Sequence, residues 1–153
     1  MGVIIDANRT GDAIGKKNDP DLDFLMKWIR KSGYLVIGGK LKMELSKPQE
    51  FKNFIAELQR AGRLEVIDDD KIEAEINWLR MNVKLFSNDN HIIALARLSG
   101  ARILCTLDQK LIKDFCNRDI IDSPRGAVYR NKKTHAHLLR NNVQCQKCRT
   151  RKR

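Results

Sequence analysis

The sequence predicts an α/β fold with a doubly wound, mostly parallel central sheet flanked by helices. Three observations carry this. Short apolar runs recur along the chain (Val3–Ile5, Tyr34–Ile37, Leu64–Ile67 and Ile103–Cys105), as expected of strands buried on both faces. Between them, apolar residues repeat at spacings of three and four, which is the pattern of amphipathic helices. Gly33, Gly62 and Gly100 then stand where those helices should stop. Strands alternating with helices build a parallel sheet with helices packed on its faces.

The elements follow in order. Val3 to Asp6 reads as a buried strand that ends in a carboxylate. Asn8 to Pro20 is loop-like, punctuated by Gly11, Gly15 and Asn18-Asp19-Pro20. From Asp21 a helix places Leu22, Leu25, Met26 and Ile29 on one face, and the strand Tyr34–Ile37 follows it. A short helix, Lys40 to Lys47, contains Glu44. Pro48 suits the first turn of the next helix, whose Phe51, Phe54, Ile55 and Leu58 share a face. After the strand Leu64–Ile67, the acids Asp68-Asp69-Asp70 suit the positive end of a helix that should run to about Phe86. Ser87 to Asn90 is a new helix start, leading to Ile92, Leu95, Ala96 and Ser99 on one face and a stop at Gly100. Arg102 to Leu107 is the fourth strand, Asp108 to Asn117 the next helix, and Ala127 to Tyr129 a short fifth strand. The rest is basic and weakly patterned.

Length bounds the answer further. The chain has 153 residues, which suits one domain with a core of its own. No apolar run is long enough to span a bilayer. Met1 leads straight into a strand, so neither a signal peptide nor membrane insertion is expected, and a cytoplasmic location is.

Charge is unevenly spread. Residues 125–153 carry ten Lys and Arg and no acid, so +10 of the net charge of +11 sits in that stretch. The expected organisation is a body, 1–124, with a basic C-terminal extension, 125–153. A near-neutral body with one strongly basic end suits a polyanionic partner, nucleic acid before an anionic membrane surface; the bland reading is a solubilising tail. The four cysteines are expected to be reduced. Cys105 and Cys116 lie in apolar surroundings and read as small core residues. Cys145-x-x-Cys148, with His135-x-His137 upstream, has zinc-ligand residue types; tail thiols without metal are the alternative.

Doubly wound sheets place ligands at the carboxyl ends of their strands. Asp6 ends the first strand, Asp108 follows the fourth, Glu44 lies in the helix after the second, and Asp89 opens the helix that feeds the fourth. If the first and fourth strands are neighbours, these four carboxylates meet at one edge. Packed together they repel, and a divalent cation with a taste for hard oxygen ligands, Mg²⁺ or Mn²⁺, relieves that repulsion. Taken singly, each has a structural reading: Asp6 a strand-end turn, Asp89 and Asp108 helix caps, Glu44 helix surface. His91 reads as surface helix.

Val-Ile-Ile-Asp6-Ala-Asn8, Met43-Glu44-Leu45, Ser87-Asn88-Asp89-Asn90-His91-Ile92-Ile93-Ala94 and Cys105-Thr106-Leu107-Asp108 together resemble the PIN domain family, across roughly residues 2–120. The resemblance implies a PIN-like fold and a metal-dependent endoribonuclease, as in the VapC-type toxins and the RNA-processing PIN nucleases. It makes Asp6, Glu44, Asp89 and Asp108 the catalytic, metal-holding acids, with Asn8 and Thr106 as supporting polar residues. Attack by an activated water, rather than by the RNA 2′-hydroxyl, would leave 5′-phosphate and 3′-hydroxyl ends. RNA is the expected partner, held through its phosphates by Arg9, Lys16 and Lys17 in the first loop and by Arg130, Lys132, Lys133 and Arg140 in the extension. An antitoxin or an RNA-processing protein is a further expected partner, and a homodimer is compatible with the resemblance. The extension departs from the small toxins, which usually end soon after the last strand. The competing readings are a non-catalytic RNA-binding or assembly module on the same fold and a DNA nuclease.

Overall fold

A computed structural model of the protein describes residues 2–10 and 19–140. Its centre is a five-stranded sheet in which every pairing is parallel, ordered β3-β2-β1-β4-β5. The strands are β1 (Gly2–Ile5), β2 (Tyr34–Gly38), β3 (Leu64–Ile67), β4 (Ile103–Cys105) and β5 (Ala127–Val128). Seven α-helices accompany them among the described residues: α1 (Pro20–Lys31), α2 (Gly39–Leu45), α3 (Gln49–Arg60), α4 (Asp69–Asn82), α5 (Asn90–Ser99), α6 (Gln109–Phe115) and α7 (Lys132–Arg140). A 3₁₀ turn, Ala7–Arg9, follows β1. No helix among the described residues is long and apolar enough to cross a membrane.

The three middle strands explain the continuous apolar runs. All of β1 and β4, and β2 from Leu35 on, are buried. Side chains alternate between faces along a strand, so both faces of the sheet are covered. The edge strands β3 and β5 are only partly buried. The expected helix faces form the core: Leu22, Leu25, Met26 and Ile29 of α1, and Phe51, Phe54 and Leu58 of α3, are buried. Ile55 packs against that core from a half-buried position.

Register decides what meets at the sheet edge. Ile5 is paired with Cys105 across β1 and β4, so the residues after them, Asp6 and Thr106, emerge side by side. Across β2, Gly38 passes directly into α2, and Gly39 makes that turn with φ of +50°, a conformation that favours glycine.

The structure departs from the sequence pattern in places. The helix expected to reach Phe86 stops at Asn82, where Val83 is extended, because the Asp114 carboxylate captures the backbone N–H groups of Phe86 and Ser87. The stretch after β5, expected to be weakly patterned, forms α7. The Asn131 side chain accepts from the N–H of Thr134, and Asp21 accepts from the N–H of Lys132, which satisfies two donors a free helix start leaves open. Tyr129 and Leu139, both beyond residue 124, join the buried core. Cys116 is half-buried, whereas Cys105 lies in the core.

Candidate functional site

Asp6 is buried at the end of the central strand and does not cap the turn after it. Its Oδ2 accepts from Thr106 Oγ1 at 2.7 Å, and the same hydroxyl accepts from the N–H of Asp108 at 3.1 Å. Thr106 therefore ties the first acid to the start of α6 through one oxygen that both donates and accepts.

Asp89 and Asp108 both stand at helix N-caps but use their side chains differently. Asp108 Oδ1 accepts from the N–H groups of Lys110 and Leu111 at 3.0 and 3.3 Å, so it caps α6 as its structural reading requires. The Asp89 side chain makes no capping bond and lies against Asp108, which acts on its carboxyl. Burial comes first among the forces on Asp89. With the charge of Asp6 and the contact and charge of Asp108, it pushes the carboxyl from 3.8 up to about 6; Lys40 partly opposes this. Burial and neighbouring carboxylates both act in this direction on a carboxyl group.

Glu44 reaches the group from α2. Its Oε1 lies 3.9 Å from His91 Nε2. His91 was expected on the surface and is buried instead, at 6% exposure, because α5 is covered on every side from His91 to Ala96. Burial, then Lys40, lowers the His91 pKa against the opposing charges of Glu44 and Asp6, so the ring is neutral at pH 7 and adds no fixed cation.

Asp6, Asp89 and Asp108 thus meet at the carboxyl edge of β1 and β4, with Thr106 between Asp6 and Asp108, and Glu44 stands nearby against His91. Their oxygen-only donor set is of the kind a hard divalent cation takes. Among the described residues no group of three or more His, Cys, Asp or Glu side chains is placed to hold a metal ion.

The remaining expected residues lie around this centre. Asn8 is exposed on the 3₁₀ turn. Arg9 is largely enclosed and lies 3.6 Å from Asp19. With the exposed Arg130 it lines a cleft of about 170 Å³ that also reaches Thr106. Lys132 stacks its ammonium 4.9 Å from the Phe24 ring centre, and Lys133 is exposed. Arg140 is the last residue of α7. His135 Nδ1 accepts from the N–H of Arg130 at 3.0 Å, and His137 is exposed. Lys16, Lys17, Cys145 and Cys148 lie outside the described residues, so the zinc-type set is represented here by its two histidines alone.

Asp114 supports the site structurally, and the spacing of acids did not single it out. It is fully buried, and its two oxygens accept from the N–H groups of Phe86 and Ser87 at 3.0 and 2.9 Å. It therefore anchors the loop that delivers Asp89. Lys40, which acts on both Asp89 and His91, was also missed.

A parallel α/β sheet carrying acids at its carboxyl edge is consistent with a PIN-like fold. The comparison with solved structures points the same way: the chain is similar to one in the crystal structure of VapBC2 from Rickettsia felis bound to a DNA fragment from its promoter. The match has 20% sequence identity and a TM-score of 0.52, and covers 85% of this chain and 100% of the other. At that identity the likeness is one of fold. No protein-family model matches the sequence, and no curated protein matches it.

Proposed function

We propose that this chain is a PIN-type endoribonuclease that depends on Mg²⁺ or Mn²⁺ and hydrolyses phosphodiesters of RNA to 5′-phosphate and 3′-hydroxyl ends. The observation that carries this reading is the approach of Asp6, Asp89 and Asp108 at one sheet edge with Glu44 beside them at His91, where burial first and then the neighbouring Asp6 and Asp108 push the Asp89 carboxyl up to about 6. A purely structural set of caps has no need of that crowding, which costs stability at neutral pH.

Asp6, Glu44, Asp89 and Asp108 would hold the cation. When bound, it supplies positive charge to the scissile phosphate and lowers the pKa of a water for in-line attack. Thr106 fixes the rotamer of Asp6 by donating to Oδ2, which keeps the opposite oxygen free for the site. Asp108 serves twice, holding the start of α6 through Oδ1 while its carboxylate faces Asp89. Lys40 balances charge beside Asp89, and the basic residues from Arg125 onward bring the polyanion to a centre that would otherwise repel it. The VapBC2 likeness supports, in addition, a partner protein of the antitoxin type.

The test is incubation of end-labelled single-stranded RNA with the purified protein in Mn²⁺, in EDTA, and with Asp6→Asn in Mn²⁺. Cutting confined to the wild type with metal is the expected result. RNA that is bound but left intact by the wild type would favour a binding module on the same fold.

A further inference from the structure

A cleft of about 720 Å³ opens beside the acidic centre between α2, α4 and the start of α5, within the size range of small-molecule pockets. His91, whose ring backs onto Glu44, forms part of its wall. Asn88 and Asn90, on either side of Asp89, line it too. None of the four acids lines the cleft itself, but Asn88, Asn90 and His91 flank Asp89 in the chain and His91 stands against Glu44, so a strand with its scissile phosphate at the acids would bring an adjoining nucleotide to it.

The lining is composed for such a nucleotide. Lys40, Lys42 and Arg80, all exposed, supply cations for flanking phosphates. Met43 is 70% exposed although apolar, and offers the cleft a face against which a base can lie. Such exposed apolar groups beside polar ones mark binding sites when they line a cleft. Among the described residues the Asn88 and Asn90 side chains make no hydrogen bond, whereas Ser46 bonds back to its own helix. Two unengaged amides thus face the cleft, each offering a donor and an acceptor. Asp69 and Glu73 add two carboxylate acceptors from α4. Acceptors in this number suit an exocyclic amine, which adenine, cytosine and guanine carry and uracil lacks.

We propose that this cleft is a nucleobase subsite that reads one unstacked, amino-bearing base of single-stranded RNA next to the scissile phosphate. Asn88 is the principal reader, Met43 the apolar wall, and Lys40, Lys42 and Arg80 the phosphate contacts. This rests on the nuclease reading for the placement of RNA across the acids. Unstacked bases read on their polar edges are the usual basis of sequence preference toward single-stranded RNA.

The experiment measures binding by fluorescence anisotropy in EDTA, so that no cutting is required. The full chain is titrated into labelled decauridine and three decamers with one central adenosine, cytidine or guanosine. A well-formed bidentate contact discriminates by about 5- to 150-fold, so at least one amino-bearing decamer should bind 5-fold or more tighter than decauridine. Asn88→Ala should remove most of that gain and leave decauridine binding unchanged; Asn88 is exposed, so folding is not at stake, and circular dichroism checks it. Equal binding of all four RNAs by the wild type, no binding, or a preference that survives Asn88→Ala would overturn the proposal. A protein that prefers an amino-bearing base yet never cuts RNA in Mn²⁺ keeps this subsite and loses the nuclease reading. One that cuts without preference does the reverse.

Discussion

Replacing Asp89 by Asn should stabilise the metal-free protein while removing its activity. The carboxyl stands at about 6 in the folded chain against an ordinary 3.8. Between those values the folded state binds more protons than the unfolded one, so this group makes stability fall as pH rises from about 4 to 6, and the loss is complete above 6. At 1.36 kcal/mol per pH unit the full difference would be ~3 kcal/mol, but Asp89 is only half-buried, and solvent screening reduces this to ~1 kcal/mol. Asn can still donate to Asp108 and is an equally good helix-cap residue. In EDTA at pH 7.5 the variant should therefore melt about 3 °C above the wild type, with the gap closing toward pH 4. Thermal melts of both proteins across that range check this. A variant that melts below the wild type at pH 7.5, or a gap that does not change with pH, would refute the crowding argument. Adding Mn²⁺ should raise the wild-type melting point more than the variant's, because the ion relieves the same repulsion.

Asp114→Ala should cost about 2–3 kcal/mol, since it leaves the Phe86 and Ser87 N–H groups without their acceptor; an unchanged urea midpoint would show that the loop holds itself. Thr106→Val should weaken Mn²⁺ binding by about 10-fold, as losses of supporting hydrogen bonds to ligands commonly do. Thr106→Ser should restore it, and calorimetric titration of the two variants separates the hydroxyl from the methyl. Removing residues 141–153 takes away Lys147, Arg149, Arg151, Lys152 and Arg153 but spares α7. It should weaken RNA binding and flatten the plot of log affinity against log salt by up to about 0.7 per lost contact; an identical slope would mean the segment does not touch phosphate.

Much of this architecture was legible because it depends on local pattern. Asp6 stands out as a carboxylate ending an apolar strand, whereas its meeting with Thr106 and Asp108 depends on β1 and β4 being neighbours, which the sequence leaves as a condition and the structure supplies. What escaped depends on long-range partners. Asp114 looked like any helix acid, since its bonds to Phe86 and Ser87 span 28 and 27 residues. His91 reads as surface helix because it lies at no strand end. The unbroken run Ile92-Ile93-Ala94-Leu95-Ala96 already signalled a helix apolar all round, which is buried rather than amphipathic. The helix α7 was hidden by its lysines. Its signal was Asn131 three residues before Thr134, a cap pattern whose hydrophobic return, Leu139, is visible only once it meets the core.

The most direct test of the central claim is mass spectrometry of the ends of RNA fragments released in Mn²⁺ by the wild type and by Asp89→Asn. The account predicts 5′-phosphate and 3′-hydroxyl ends from the wild type and intact RNA from the variant. Cyclic-phosphate ends, or equal fragmentation by both proteins, would contradict a carboxylate-held metal centre at the edge of this sheet.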